Sequence, residues 1–231
     1  MLKLLKSDLD NLKDSKRAEI YARFFKTKKG EYGEGDTFLG ITVPNQRKVA
    51  KNYTNLSLED IQFLLLSNIH EYRLTALIIL MDKYKKANDN DKKKIFDLYI
   101  KNTKNINNWD LVDISAPHIL GDYLLDKDRK ILYTFAKSEN LWKKRIAILS
   151  TFTFIRNNDF KDTINISEIF LNDTHDLIHK AVGWSLRELG KKNQPIEEEF
   201  LKKHYKTMPR TMLRYAIERF DEDKRQYYLN K

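Results

Sequence analysis

The feature that most constrains the fold is a regular series of alanines in apolar, helix-like segments. Successive alanines are 40, 31, 34 and 35 residues apart, at Ala76, Ala116, Ala147, Ala181 and Ala216. This step is typical of a two-helix repeat, in which each helix pair buries its apolar stripe only against the next pair. A small residue within that stripe lets the neighbouring helix approach closely. The sequence therefore predicts an all-α chain of stacked helical hairpins.

Length and composition agree with this prediction. A solenoid grows by adding units, so 231 residues can form one domain, and we expect a single domain over residues 1–231. Only 7 glycines and 4 prolines are present, which argues against a turn-rich β-sandwich or barrel. No alternating strand pattern competes with the helical one.

Several classes of protein are disfavoured by simple absences in the sequence. Without cysteine there is neither a disulfide framework nor a cysteine-based metal site. No run approaches the roughly 20 apolar residues of a membrane helix. The amino terminus, MLKLLKSDLDNLKD, becomes charged too early for a signal peptide. We expect a cytoplasmic protein that does not insert into membranes.

The chain carries a surplus of positive charge. Lys and Arg number 43 against 33 Asp and Glu, for a formal charge of +10. Such a surplus attracts polyanions and is compatible with a nucleic-acid partner. Lysine-rich composition alone also produces this surplus, so charge leaves the partner open.

Helical spacing of apolar residues extends along most of the chain. The helices it predicts cover residues 2–13, 16–27, 70–87, 91–102, 108–116, 127–138, 141–156, 165–171, 175–190, 195–206 and 209–219. Residues 28–36 hold three of the seven glycines and are expected to form a loop.

Capping residues mark further helix ends. Thr42 precedes a helix with Pro44 in its first turn, and Ser57 is expected to cap another helix with Asp60 at the capping-box position. Pro117 is expected to stop the 108–116 helix, and Gly190 to cap the carboxyl end of the 175–190 helix. Pro195 and Pro209 lie near helix starts.

Five side chains at comparable repeat positions are candidates for chemistry. Trp109 and Asp113 are four residues apart, and Trp184 and Arg187 are three apart, so each pair lies side by side on its helix. Arg145 occupies the comparable place on the helix between them. Stacking in register would bring all five to one groove. There arginine could grip phosphate, indole could pack on sugar or base, and the carboxylate could stabilise a cation.

Ordinary structural roles remain open for each of these side chains. Tryptophan in a helical protein is commonly a core residue. Asp113 could be solvated or paired with arginine, and Arg145 and Arg187 could be surface charges. Their joint placement in the repeat is the argument for function.

Other chemistries have weaker support. His175 and His179 are four apart, but the glutamate of the zinc-protease pattern and an obvious third ligand are missing, so a metal is disfavoured. The glycine-rich loop follows a helix and lacks the patterns of nucleotide-binding loops. No serine or cysteine nucleophile motif is visible.

Four motifs resemble those of the AlkD-type DNA alkylation repair proteins, in order along the chain from about Tyr21 to Phe220. They are Phe38-Leu-Gly-Ile-Thr-Val-Pro-Asn-Gln-Arg47, Asn108-Trp-Asp-Leu-Val-Asp113, Trp142-Lys-Lys-Arg-Ile-Ala-Ile148 and Lys180-Ala-Val-Gly-Trp-Ser-Leu-Arg-Glu188. Proteins of that family are HEAT-like helical superhelices, and several are DNA glycosylases that excise N3- or N7-alkylated purines.

The resemblance implies a function and assigns roles to residues. Asp113, Trp109 and Trp184 would be catalytic, with Asp113 stabilising the developing sugar cation and positioning water. Contacts to DNA would come from Arg145, Arg187, Arg47, Lys48 and Arg214. The partner would be duplex DNA with alkylated purines. The damaged base would not be drawn into a pocket, and neither metal nor cofactor would be required.

Two rival functions remain. A HEAT-like protein that binds DNA without excising bases would keep the basic groove, and Asp113 separates it from a glycosylase. A protein-binding scaffold should instead present a concave surface of mixed charge. In each case a monomer is expected.

Overall fold

Fourteen α-helices make up most of the computed structural model, which describes residues 1–230. The helices of the amino-terminal half are α1 (Leu2–Asp10), α2 (Ser15–Phe24), α3 (Val43–Ala50), α4 (Leu58–Leu65), α5 (His70–Lys86), α6 (Asp89–Lys101) and α7 (Trp109–Ala116). Those that follow are α8 (Lys130–Ala136), α9 (Leu141–Arg156), α10 (Lys161–Ile169), α11 (Asp176–Lys192), α12 (Gln194–His204), α13 (Arg210–Ala216) and α14 (Glu222–Leu229). Within residues 1–230 the only β-type pairing is one isolated bridge between Thr37 and Ile69.

The five alanines of the repeat mark every second helix. They lie in turn in α5, α7, α9, α11 and α13, and each is completely shielded from solvent. The helices between them complete the pairs, so the period read from the alanines is the period of a helix hairpin. These observations confirm the all-α, HEAT-like class.

Two compact units divide the chain, residues 1–115 and a second unit beginning at Ala116. In the first unit α5 packs against α3, α4 and α6. In the second, α11 packs against α9, α12 and α13. The expectation of one domain over the whole chain stays a prediction.

Close helix contact in the second unit depends on a glycine as well as on alanines. A Cβ atom at Gly183 of α11 would lie 2.5 Å from the backbone carbonyl oxygen of Met212 and 2.5 Å from the Cβ of Tyr215, both on α13. Side chains do not fit at such distances, so Gly183 allows the backbones of α11 and α13 to meet.

The segment before α3 is held by one buried carboxylate. Glu71, in the first turn of α5, accepts hydrogen bonds from the backbone N–H groups of Leu39, Gly40 and Ile41, at 2.9, 2.8 and 3.2 Å. Gly40 has a φ of +81°, and a Cβ there would lie 2.1 Å from the backbone oxygen of Asp14. This turn therefore requires glycine, and it joins α2 to α5.

Most predicted helices are present with ends that differ by up to about three residues, and the helix over residues 141–156 is reproduced as α9. Ser57 caps α4 by accepting a hydrogen bond from the Asp60 backbone N–H at 3.1 Å. Thr42 is the N-cap residue of α3, but its side chain makes no capping hydrogen bond. As expected, residues 28–36 form turns and loop.

The α-helix α7 ends at Ala116, directly before Pro117, as predicted, but the helical path does not stop there. The chain continues through a π-helical turn, Pro117–Gly121, directly after α7. The wider turn accommodates a residue that cannot donate a backbone hydrogen bond. The hydroxyl of Thr153 donates to the Pro117 carbonyl oxygen at 2.6 Å, which stabilises this arrangement.

Gly190 was wrongly predicted as a helix cap. It lies inside α11, which ends at Lys192. Its lack of a side chain has a packing reason, because a Cβ there would lie only 1.6 Å from a carboxyl oxygen of Glu197 on α12.

Two helices differ from expectation in length or existence. The helix predicted over 165–171 begins four residues earlier, at Lys161, where the buried Thr163 contributes to its packing. Helix α14 was missed because its sequence is mostly polar and buries only Tyr228. None of the helices within residues 1–230 is long and apolar enough to cross a membrane.

Candidate functional site

Trp109 and Asp113 lie one turn apart at the start of α7, and both are half-buried. The helix begins at Trp109, whose backbone N–H donates to the side-chain oxygen of the fully buried Asn108 at 2.9 Å. Burial raises the pKa of the nearby Tyr99 phenol, and the charge of Asp113 adds to this shift. Asp113 therefore acts electrostatically on the interior of the first unit.

The Trp109 indole belongs to a stack of aromatic rings. Phe25 stacks on it with ring centroids 5.2 Å apart and 22° between the planes. Phe38 also stacks on Phe25, with centroids 5.1 Å apart and 14° between the planes. Phe24 approaches Trp109 edge-on at 5.8 Å. Residues from α2 and from the segment before α3 thus fix the orientation of the indole.

His70 packs against two rings of this cluster, Phe38 and Phe25, and is almost completely buried. Its imidazole lies 4.6 Å from the Phe38 ring, with 24° between the planes. Nδ1 lies 3.0 Å from a carboxylate oxygen of Asp36, and Nε2 lies 2.8 Å from one of Asp110. The same Asp36 oxygen accepts a hydrogen bond from Arg73 at 2.6 Å.

The charge on His70 follows from these partners. Burial alone would lower its pKa, but the Asp110 charge and the hydrogen bonds to Asp110 and Asp36 outweigh burial and raise the pKa of His70 to about 9. Burial raises the pKa of Asp36, whereas His70 and Arg73 lower it, and the net result is a pKa below the ordinary value. The cluster at neutral pH is therefore an imidazolium and a guanidinium between two carboxylates.

A small apolar cleft of about 150 Å³ opens beside these residues. Its lining includes Tyr21, Phe24, Phe25 and Phe38, with His70 and Asp110 as polar members. Phe24 forms part of its exposed rim, with 61% of its surface accessible. The cleft and the Trp109 indole thus share two aromatic neighbours, Phe24 and Phe25.

In the second unit Arg145 is more buried than expected for a phosphate ligand. Only 5% of its surface is accessible, and its Nη1 donates to the backbone oxygen of Leu177, in the first turn of α11, at 2.6 Å. The contact joins α9 to α11. Part of the guanidinium is therefore engaged in holding these two helices together.

Trp184 and Arg187 are brought together on α11, as predicted from their spacing, and they share a carboxylate. The indole N–H of Trp184 donates to Glu188 at 3.2 Å, and Nε of Arg187 lies 3.7 Å from the same oxygen. Arg187 also forms an ion pair with Glu218. The Trp184 ring packs edge-on against Phe152 of α9, with centroids 4.7 Å apart.

The three remaining basic candidates point into solvent. Arg47 and Lys48 are exposed on α3, in the first unit, and Arg214 is exposed on α13, in the second. Each is free to meet a polyanion. That all the candidates converge on one groove remains a prediction.

Some site residues were not found from the sequence. His70, Asp36 and Asp110 are separated by 34 and 40 positions, so no local motif links them. Asp110 lies within the Asn108–Asp113 motif, which was the one available signal. Glu188 and Glu218 were missed because a carboxylate beside arginine in a helix is common.

His175 and His179 form hydrogen bonds with the backbone around the start of α11. Nδ1 of His175 accepts a hydrogen bond from the Leu177 backbone N–H at 3.1 Å, and Nε2 of His179 lies 2.5 Å from the Asp173 backbone oxygen. Over residues 1–230, no three His, Asp or Glu side chains are grouped so that they could hold a metal ion.

Helix pairs with shielded alanines place the chain in the HEAT-like class of all-α proteins. It belongs to the DNA alkylation repair enzyme family, whose model matches residues 5–220. The fold is similar to that of a solved structure described as a predicted DNA alkylation repair enzyme from Enterococcus faecalis, with a TM-score of 0.72 and 18% identity. That similarity covers 91% of this chain and 97% of the other. No curated protein sequence matches this one.

Proposed function

We propose that this protein is a DNA glycosylase that hydrolyses the N-glycosidic bond of N3- or N7-alkylated purines in duplex DNA. The observation that carries the proposal is the adjacent placement of Trp109 and Asp113, both half-buried, on one turn of α7 in a member of an alkylation repair family. The protein acts as a cytoplasmic monomer, without a metal or cofactor.

The chemistry requires little more than a well-placed carboxylate. An alkylated purine already carries positive charge, so it leaves readily when its bond to C1′ of the deoxyribose breaks. The sugar then acquires oxocarbenium character, which the Asp113 carboxylate stabilises. Water adds to C1′ and releases a proton, and no general acid for the leaving base is needed.

Aromatic and basic side chains would hold the damaged strand. The indoles of Trp109 and Trp184 pack on the sugar-phosphate backbone at the lesion, and the base is not drawn into a pocket. Arg187 and Arg145 bind flanking phosphates. A phosphate at Arg187 has to compete with Glu218, and one at Arg145 has to compete with the backbone oxygen of Leu177.

More distant phosphates would be bound by the exposed basic residues. Arg47, Lys48 and Arg214 carry unburied charge, and the whole chain has a formal charge of +10. Each phosphate neutralised releases counterions, so DNA affinity should fall steeply with salt.

Base release from methylated duplex DNA tests the proposal. The native protein should release 7-methylguanine and 3-methyladenine, and Asp113→Asn should abolish release while nearly retaining DNA affinity. Asp97→Asn is the matched control, because Asp97 is an exposed carboxylate that forms an ion pair with its helix neighbour Lys93. No release above spontaneous depurination by the native protein would refute the glycosylase.

A DNA-binding protein without excision activity is the second candidate. The exposed basic residues on α3 and α13 support this candidate as well as they support the glycosylase, because they explain DNA binding but not base excision. Salt-dependent binding to DNA combined with no base release would select this candidate. Salt-independent or absent DNA binding would instead indicate a protein scaffold.

A further inference from the structure

Resting on the proposed function, we propose that His70 is a positioning residue for base excision. By bridging Asp36, at the end of the glycine-rich loop, to Asp110, in the first turn of α7, it fixes the helix turn that presents Trp109 and Asp113. His70 has no contact with DNA in this role.

The bridge spans three separate parts of the first unit. Asp36 ends the loop of residues 28–36, His70 begins α5, and Asp110 is the second residue of α7. Only 2% of the His70 surface is accessible, so water competes little for its hydrogen bonds. Asp110 directly follows Trp109 in the sequence, so the contact with His70 holds the helix turn from which the indole projects.

A second, independent route connects His70 to the indole. His70 stacks on Phe38, Phe38 on Phe25, and Phe25 on Trp109, with centroid distances of 4.6, 5.1 and 5.2 Å. A shift of the imidazole would change the hydrogen bond to Asp110 and also the packing of Phe38 and Phe25, on which the Trp109 indole depends. Both the position and the orientation of the Trp109 indole therefore depend on His70.

The charges of the cluster also concern Asp113. Asp110 and Asp113 are three residues apart on α7, where like charges repel each other. The imidazolium beside Asp110 offsets its charge, and Arg73 offsets that of Asp36. The negative charge that Asp110 places near Asp113 is thus partly neutralised by His70.

The experiment removes the bridge in two ways and follows both the rate and the indole. His70→Gln removes the positive charge of the buried imidazole. Asp110→Asn removes the negative charge of its partner, which is less buried, so we expect this variant to fold more readily. Single-turnover base release should fall about 10- to 100-fold in each, with DNA affinity unchanged, because a small misplacement of reacting groups has this effect. The double variant should be no slower than the worse single one.

Labelling with 5-fluorotryptophan reports directly on the indole. The chain has three tryptophans, so the fluorine spectrum is simple, and Trp109→Phe identifies the Trp109 signal. In both variants this signal should shift, while those of Trp142 and Trp184 remain unchanged. Thr75→Val is the control: it removes a buried hydrogen bond to Gln46 from the same helix α5, and it should leave both the signal and the rate unchanged.

A folded Asp110→Asn protein with the native excision rate would overturn the positioning role, whether or not the signal moved. Equal slowing by Thr75→Val would reduce His70 to a contributor to stability and would also overturn it. If the native protein releases no base, the proposed glycosylase fails. The Trp109 signal then decides separately whether the bridge sets the indole position.

Discussion

The Nε2 atom of His70 lies 2.8 Å from a carboxylate oxygen of Asp110, a residue 40 positions away in the sequence. The other ring nitrogen is 3.0 Å from Asp36. An imidazole that donates to two carboxylates must carry both protons, and is therefore cationic. The resulting dependence of this contact on pH can be measured.

Stability of the native protein should fall as pH rises from about 6.5 to about 9. The pKa of His70 is 6.5 in the unfolded chain and about 9 in the folded one. Its stabilisation is thus complete below pH 6.5 and lost as pH rises through 9. The charged groups facing His70 are Asp36, Asp110 and Arg73. The pKa difference that they produce corresponds to a contribution on the order of 3 kcal/mol to the free energy of unfolding. Chemical denaturation at several pH values measures it.

His70→Gln is the comparison for this pH effect. A neutral side chain cannot titrate, so the variant should be less stable at pH 6.5, and the difference from the native protein should shrink by pH 9.5. A difference that stays constant over this range would show that His70 does not carry the charge.

Replacing Glu197 with glutamine should stabilise the protein at neutral pH. Burial raises the pKa of Glu197 to about 9, the Glu198 charge adds to the shift, and Arg187 only partly opposes it. A carboxyl that ionises near 4.5 when unfolded and near 9 when folded favours folding below pH 4.5 and loses this contribution as pH rises. Glu197→Gln should gain about 2 to 3 kcal/mol at pH 7 and nothing at pH 4.

Glu199→Gln provides the reference, because Glu199 lies on the same helix but is exposed. Thermal unfolding of the three proteins at both pH values gives the comparison. The interpretation of Glu197 as a neutral acid is wrong if both variants have the same stability at pH 7.

Gly183→Ala should destabilise the second unit although alanine favours helices. The gain in helix propensity is about 1 kcal/mol. Against it, the new Cβ would lie 2.5 Å from the Met212 backbone oxygen, which cannot yield as a flexible side chain does. We expect a net loss of about 1 to 3 kcal/mol in denaturant unfolding. A stabilised variant would show that α11 and α13 separate without cost.

Glu218→Gln should tighten DNA binding by freeing Arg187. The ion pair lies partly in solvent, so breaking it costs little stability. A freed guanidinium can take a phosphate in its place, and the affinity should rise several-fold in a fluorescence anisotropy titration. Glu199→Gln changes the net charge equally and distinguishes this effect from general electrostatics. If both variants bind equally tightly, Arg187 makes no contact with DNA.

Sequence reasoning was most successful where it depended on local periodicity. Helix α9 was predicted to its ends, because a long apolar stripe begins after Asn140, which caps it. Ala76 and Ala147 indicated the pairing of helices before any contact was known. The π-helical turn after Pro117 was missed, because whether the chain continues helically beyond a proline depends on partners such as Thr153, 36 residues away.

The site was predicted only in part for the same reason. The spacing of Trp184 and Arg187 correctly placed them side by side on α11, but no pattern announced the carboxylate that they share. His70 could not be selected from the sequence, since its function depends on Asp36 and Asp110 and both lie more than 30 positions away. Buried charge networks arise from tertiary packing, so the periodicity of apolar residues does not predict them.

The Glu71 carboxylate affects the order of folding, because it accepts hydrogen bonds from three consecutive backbone N–H groups. These contacts close a loop of 30 to 32 residues that contains α3 and α4. The backbone N–H groups of residues 39–41 gain their acceptor only when the first turn of α5 has formed. We expect amide hydrogens of residues 39–41 and of the α5 start to exchange with solvent in one cooperative step, so that a helix end and a distant loop unfold together.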